Sequence, residues 1–303
     1  MHIEFTSEQR ALRESFRSYL EELMTPELRV ELVEREAGGP EYMRAMKRLG
    51  SDGWLGLGWP EEFGGQGRSP IEEFLFFDEL QRVCFPIPVL TLATVGPTLM
   101  HYGSPAQQQE YLPAILRGEC HFSIGYTEPG AGTDLAALKT SAVRDGDHYV
   151  INGEKAYLTN GPISDLILLL AITEIDQGKK KYSAFLVPRK TPGVKETAGV
   201  KIDFLRPSCH CSMQFTNVCV PVEALLGPEG DAFEKFSLPM RKVEDAISGA
   251  NKAGAYRFQI KQLGQEAAHC NLDKEDMAEL GSLAAASDGL SVLSYRAVEL
   301  LDI

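Results

Sequence analysis

Residues 126–134 read YTEPGAGTD, and residues 152–161 read NGEKAYLTNG. The first stretch is poor helix and poor strand, because glycine, proline, threonine and short acids crowd together in it. It forms a tight, irregular loop rich in backbone N–H groups and hydroxyls. Such a loop is either punctuation or a cradle for a polar ligand. A third cluster, CHC at 209–211, carries metal-ligating residue types. On one strand Cys209 and Cys211 would share a face while His210 pointed away. With no further ligand cluster to close a coordination shell, no metal is expected.

The elements that must position these residues change character twice along 303 residues. Residues 1–118 have helical periodicity, with Leu12, Phe16, Leu20 and Leu23 on one face of the first segment. Thr6 and Gln9 fit a capping box in front of it. A second helix over YMRAMKRLGSDGWLGL is expected to stop at Gly50 and Gly53. Residues 119–229 alternate short apolar runs with the turn dipeptides Asp145-Gly146, Asn152-Gly153 and Asn160-Gly161, the pattern of an antiparallel barrel or sandwich. Residues 230–303 return to two amphipathic helices, half of a bundle that would need further helices from this chain or another. The fold class expected is α+β, with a helical N-terminal domain, a β domain and a short helical C-terminal part.

Composition excludes several classes. Forty-three acids against 30 Lys and Arg give a net charge of −13, which argues against nucleic acid and anionic membrane surfaces as main partners. The longest apolar run, LILLLAI at 166–172, is too short to span a membrane. The first residues carry no apolar signal core, and the six cysteines show no disulfide framework, so a reduced, cytoplasmic protein is expected.

The helical, β, helical order opened by YTEPGAGTD resembles the flavin-dependent acyl-CoA dehydrogenase family. GWLGLGWPEEFGGQG (53–67) is similar to that family's N-terminal loop, and residues 122–161 are similar to its flavin-binding signature. LRPSCHCSMQFTNVCVPVEALLGPEG (205–230) resembles its last strands and the entry to its C-terminal helices. The resemblance implies FAD as cofactor, held by Tyr126, Thr127, Gly132 and Thr133 in the loop and by Tyr157 and Thr159 on the strand beyond. Tyr157 stands where the family usually has Trp. The implied reaction is α,β-dehydrogenation of an acyl-CoA, with Glu244 as the base that removes the α-proton. Met240 and Ile247 flank Glu244 on its own helical face, so its carboxylate can point into an apolar groove, where desolvation strengthens a base. The alternative is a solvated Glu beside Asp245, where the family normally has Arg.

The connection HCNLD between the last two helices lacks the Arg-x-x-Phe-Gly loop that relatives use to hold the adenine half of a neighbour's FAD. The resemblance is to subunits of two-gene enzymes acting on bulky, steroid side-chain-like acyl-CoAs. The expected partners are a second acyl-CoA dehydrogenase-like subunit supplying the adenine half of the site, and an electron-transfer flavoprotein or similar acceptor. A non-catalytic, flavin-holding partner subunit and a flavin oxidase or monooxygenase on the same fold are the other readings.

Overall fold

The computed structural model describes residues 5–35, 37–131, 137–199, 208–270 and 273–299, with the side chains of 237–251 and 299 outside the description. Six helices come first. They are α1 (Ser7–Leu23), α2 (Pro26–Glu34), α3 (Pro40–Ser51), α4 (Pro70–Arg82), α5 (Gly96–Tyr102) and α6 (Pro105–Leu116). The Thr6–Gln9 capping box is present at the start of α1, and Ser69–Glu72 and Ser104–Gln107 repeat the device on α4 and α6. Gly50 does not stop α3. It lies inside the helix because a Cβ there would overlap the Arg117 backbone, so glycine permits close approach rather than termination. Gly53, with φ 82°, makes the break three residues later.

The strands are β1 (Phe122–Gly125), β2 (Ser141–Asp145), β3 (His148–Thr159), β4 (Leu166–Asp176), β5 (Lys179–Pro188), β6 (Val194–Gly199), β7 (His210–Pro221) and β8 (Leu225–Leu226). They form one sheet in the order β6-β7-β3-β2-β4-β5-β8, with β1 also pairing β4. Most pairs are antiparallel, but β1 and β2 both meet β4 in parallel, so the sheet is mixed. Among the described strands it does not close into a barrel.

Turn chemistry explains two of the three dipeptides. Asp145-Gly146 turns β2 into β3, and Asn160, at φ 61°, ends β3. Asn152-Gly153 makes no turn. It lies inside β3 at a β-bulge, with the Asn152 side chain accepting from the Asn217 N–H at 2.8 Å.

β4 is apolar on both faces because it separates two cores. Ile167, Leu169 and Ala171 pack with Tyr149, Phe185 and Phe215 inside the folded sheet. Leu168, Leu170 and Ile172 belong to the larger core shared with the helices. Behind the sheet, α7 (Leu238–Ala267) and α8 (Lys274–Glu299) pack on α4 and on each other. A buried polar cluster ties these helices together. Asp78 and Glu79 on α4 receive Arg13 and Arg17 from α1, Arg257 from α7 and the Tyr295 hydroxyl from α8.

Candidate flavin site

β1 ends at Gly125, and the chain enters the glycine-rich loop. Glu128 and Ala131 exchange two backbone hydrogen bonds, 3.1 and 2.9 Å, around Gly130 at φ 81°. This turn explains the proline and glycine at 129 and 130, because the left-handed position costs glycine nothing. The loop is bound to β3 from the side. The Ala156 N–H donates to the Thr127 carbonyl at 2.8 Å, and Lys155 Nζ donates to the Tyr126 carbonyl at 3.1 Å.

β3 bulges between Lys155 and Leu158. Within the bulge Tyr157 adopts φ 56°, and its ring is 59% exposed. A left-handed conformation is costly for a bulky residue and persists only where its surroundings impose it. Tyr126, Thr127 and Thr159 are all half-buried. The structure thus brings Tyr126 and Thr127 onto the strand that carries Tyr157 and Thr159. Gly132 and Thr133 lie outside the described residues. Glu244 falls on α7, and its side chain also lies outside them.

Two residues to which sequence reasoning assigned no role hold the loop. Lys155 is wholly buried, and its Nζ lies 2.9 Å from Glu128 Oε1. Glu128 further accepts from the Lys139 N–H at 2.7 Å and the Thr140 N–H at 2.9 Å. Burial works to raise the Glu128 pKa. The hydrogen bonds from Thr140 and Lys155 outweigh it and hold the carboxyl below its ordinary value. Burial pushes Lys155 down to about 8, against the pull of Glu128. The only signal in the sequence was a lysine within a strand otherwise facing a core.

The CHC segment does not line up its ligands as the alternation of a strand would have them. His210 begins β7, while Cys209 precedes it and packs in the helix-facing core, and Cys211 packs in the sheet core. The two thiols therefore do not share a face, because the strand that would align them starts between them. Among the described residues no group of His, Cys, Asp and Glu could hold a metal ion.

Two concavities lie elsewhere. One, of about 340 Å³, runs between α7 and α8 and is lined by Tyr256, Ile260, Leu263, Leu283 and Leu290. The other, of about 510 Å³, is walled by Trp59, Phe63, Glu73, Met100 and His101. Burial raises the Glu73 carboxyl to about 7.

A helical part, a mixed sheet and a returning helical part define an α+β architecture. Residues 6–119 match the N-terminal domain of acyl-CoA dehydrogenase, and residues 123–218 match its middle domain. The chain belongs to the acyl-CoA dehydrogenase family.

It is 46% identical over 235 residues to acyl-CoA dehydrogenase FadE29 of Mycobacterium tuberculosis, covering 77% of this chain and 60% of that protein. It is 34% identical over 276 residues to cyclohex-1-ene-1-carbonyl-CoA dehydrogenase of Geobacter metallireducens, covering 87% of this chain and 71% of that one. Among solved structures, the Tcur3481-Tcur3483 steroid ACAD superposes with a TM-score of 0.88 at 32% identity, over 99% of this chain and 78% of that one. The ChsE4-ChsE5 complex from Mycobacterium tuberculosis gives 0.85 at 33%, over 100% and 79%. The chain spans about three-fifths of the length of FadE29 and of FadE26. Among the described residues no helix is long and apolar enough to cross a membrane.

Proposed function

We propose that this chain binds FAD and carries out α,β-dehydrogenation of an acyl-CoA thioester as one subunit of a heteromer. The observation that carries the reading is the strained, exposed Tyr157 beside a loop locked to its strand. An exposed aromatic residue on the strand that also carries Thr159 and holds Thr127 by its backbone fits the apolar plane and polar edges of a flavin. Tyr126, Thr127, Gly132 and Thr133 hold it from the loop, and Tyr157 and Thr159 from the strand. Bound flavin supplies a hydride acceptor.

The protein's own part is proton removal and desolvation. Glu244, on the first long C-terminal helix, takes the α-proton as the Cα–H bond breaks; the Cβ–H bond breaks as well, its hydride going to the acceptor that bound flavin would supply, and the electron pair left at Cα forms the Cα–Cβ double bond. Met240 and Ile247, four residues before and three after Glu244 in the sequence, are apolar, and desolvation strengthens a carboxylate as a base.

Two observations support a heteromer. The solved relatives Tcur3481-Tcur3483 and ChsE4-ChsE5 are named as two-component assemblies. In this chain the face between α7 and α8 leaves Tyr256, Leu263 and Leu283 half exposed, an apolar surface suited to a partner subunit. The six residues that join α7 to α8, 268–273, leave little chain to reach a neighbour's adenine, so the adenine half of the site comes from the second subunit. Bulky, steroid side-chain-like acyl-CoAs are the substrate class, and an electron-transfer flavoprotein or a similar carrier takes the electrons.

The test is co-expression with a second acyl-CoA dehydrogenase-like chain, followed by a flavin count and reduction by acyl-CoA. About one FAD per copy of this chain is expected, with bleaching by substrate. In Glu244→Gln, flavin should remain and reduction should slow at least ~100-fold, while dithionite still bleaches it. Near-native reduction in that variant would move the base to the partner subunit.

A further inference from the structure

We propose that the buried Lys155–Glu128 pair is a positioning device that sets the 126–131 loop against Tyr157 before the cofactor arrives. The proposal rests on the flavin reading above. Lys155, Ala156 and Tyr157 are consecutive on β3, and each does a separate task. Lys155 Nζ holds the Tyr126 carbonyl at 3.1 Å and Glu128 Oε1 at 2.9 Å. The Ala156 N–H holds the Thr127 carbonyl at 2.8 Å. Tyr157 turns its ring outward at φ 56°.

Glu128 then closes the loop from the other end. Its two oxygens take the Lys139 and Thr140 N–H groups at 2.7 and 2.9 Å, so both ends of the segment 129–138 are fixed to one carboxylate. The loop's entry and exit, and the strand displaying the aromatic ring, are thereby held by a single charged pair.

A buried ion pair is weak evidence for stability, since an apolar pair of similar volume commonly does as well. What an apolar pair cannot do is grip two backbone N–H groups and a backbone carbonyl at once. That grip fixes the backbone of the loop in place, so binding need not order it. Lys155 and Glu128 touch neither substrate nor cofactor in this role.

The experiment compares Lys155→Met and the double variant Lys155→Met/Glu128→Met with the native chain in the co-expressed heteromer. Three quantities are read: FAD affinity of the stripped protein, thermal melting without flavin, and hydrogen exchange at the Lys139 and Thr140 amides. Lys155→Met should weaken FAD binding at least tenfold and speed both amides by a similar factor. The double variant should recover the melting temperature and leave FAD affinity at least tenfold weak. Recovery of both together would make the pair merely structural and overturn the proposal. Native affinity in Lys155→Met would also overturn it. If the native protein itself takes no FAD, the flavin reading fails and the amides decide. Unchanged exchange in Lys155→Met overturns the positioning role, and tenfold faster exchange sustains it for whatever ligand the loop holds.

Discussion

Arg257 on α7 donates to the carboxylate of Asp78 on α4, a residue 179 positions earlier and fully buried. Tyr295 on α8 donates to the same oxygen at 3.1 Å, and Arg13 on α1 at 3.0 Å. Burial raises the Asp78 carboxyl, and Arg257 and Arg13 pull against that rise. Asp78 is thus the point at which the first, fourth and last two helices agree on their positions.

Arg257→Met should therefore loosen α7 and α8 together. Breaking a buried pair by removing one partner costs about 3 kcal/mol or more. Denaturant unfolding should show a loss of that size, and α8 should become the first site of proteolysis. An unchanged midpoint would mean that Arg13 and Tyr295 satisfy Asp78 alone.

Tyr157→Gly should have opposite effects on stability and binding. The tyrosine is exposed, so little packing is lost, and glycine removes the left-handed penalty of roughly 1 kcal/mol. The flavin-free protein should unfold at higher denaturant, while FAD affinity falls by tenfold or more for want of the aromatic face. Equal or lower stability would mean that the backbone at this bulge carries no strain.

Glu73 makes stability depend on pH. Its folded carboxyl titrates at about 7, above the ordinary value of 4.5, so the folded state binds this proton more tightly than the unfolded chain. That contribution is complete below pH ~4.5 and is lost as pH rises through 7. Glu73→Gln keeps the neutral form at every pH. It should match the native protein at pH 4 and exceed it by about 1–3 kcal/mol at pH 8. A constant difference across that range would assign the effect to something other than titration.

Leu263 and Leu283 flank the cleft between α7 and α8 and are 47% and 48% exposed. Leu263→Glu and Leu283→Glu should leave the melting of the chain alone within about 0.5 kcal/mol. Each should abolish co-purification with the second subunit. Persistent assembly would place the heteromer contact on another surface.

Local signals were legible in the sequence where short-range chemistry decides. Thr6 and Gln9 announced the α1 cap, and the short apolar runs between turn dipeptides announced strands, though not that 166–172 would be buried on both faces. Asn152-Gly153 misled because the same residues that build a hairpin turn also suit a bulge, and only pairing with β7 selects between them. Gly50 misled because its reason is the Arg117 backbone, 67 positions away and invisible to periodicity. The aromatic and hydroxyl residues proposed for the site rest on motif resemblance. The Lys155–Glu128 pair could not be named from the sequence, since nothing local tells a solvated lysine from one buried against an acid 27 residues back.

Over residues 166–172 β4 has no solvent side: its odd residues seal the sheet interior and its even residues seal the helical core. The two regions therefore share a party wall, and neither can be opened without stripping the other. Heating should give a single calorimetric transition for both, not a sheet melting after the helices. The β4 amides should be the last to exchange with solvent, opening only when the whole molecule does. Insertions or truncations that spare every helix yet shift β4 by one residue would swap its two faces and inactivate both halves at once.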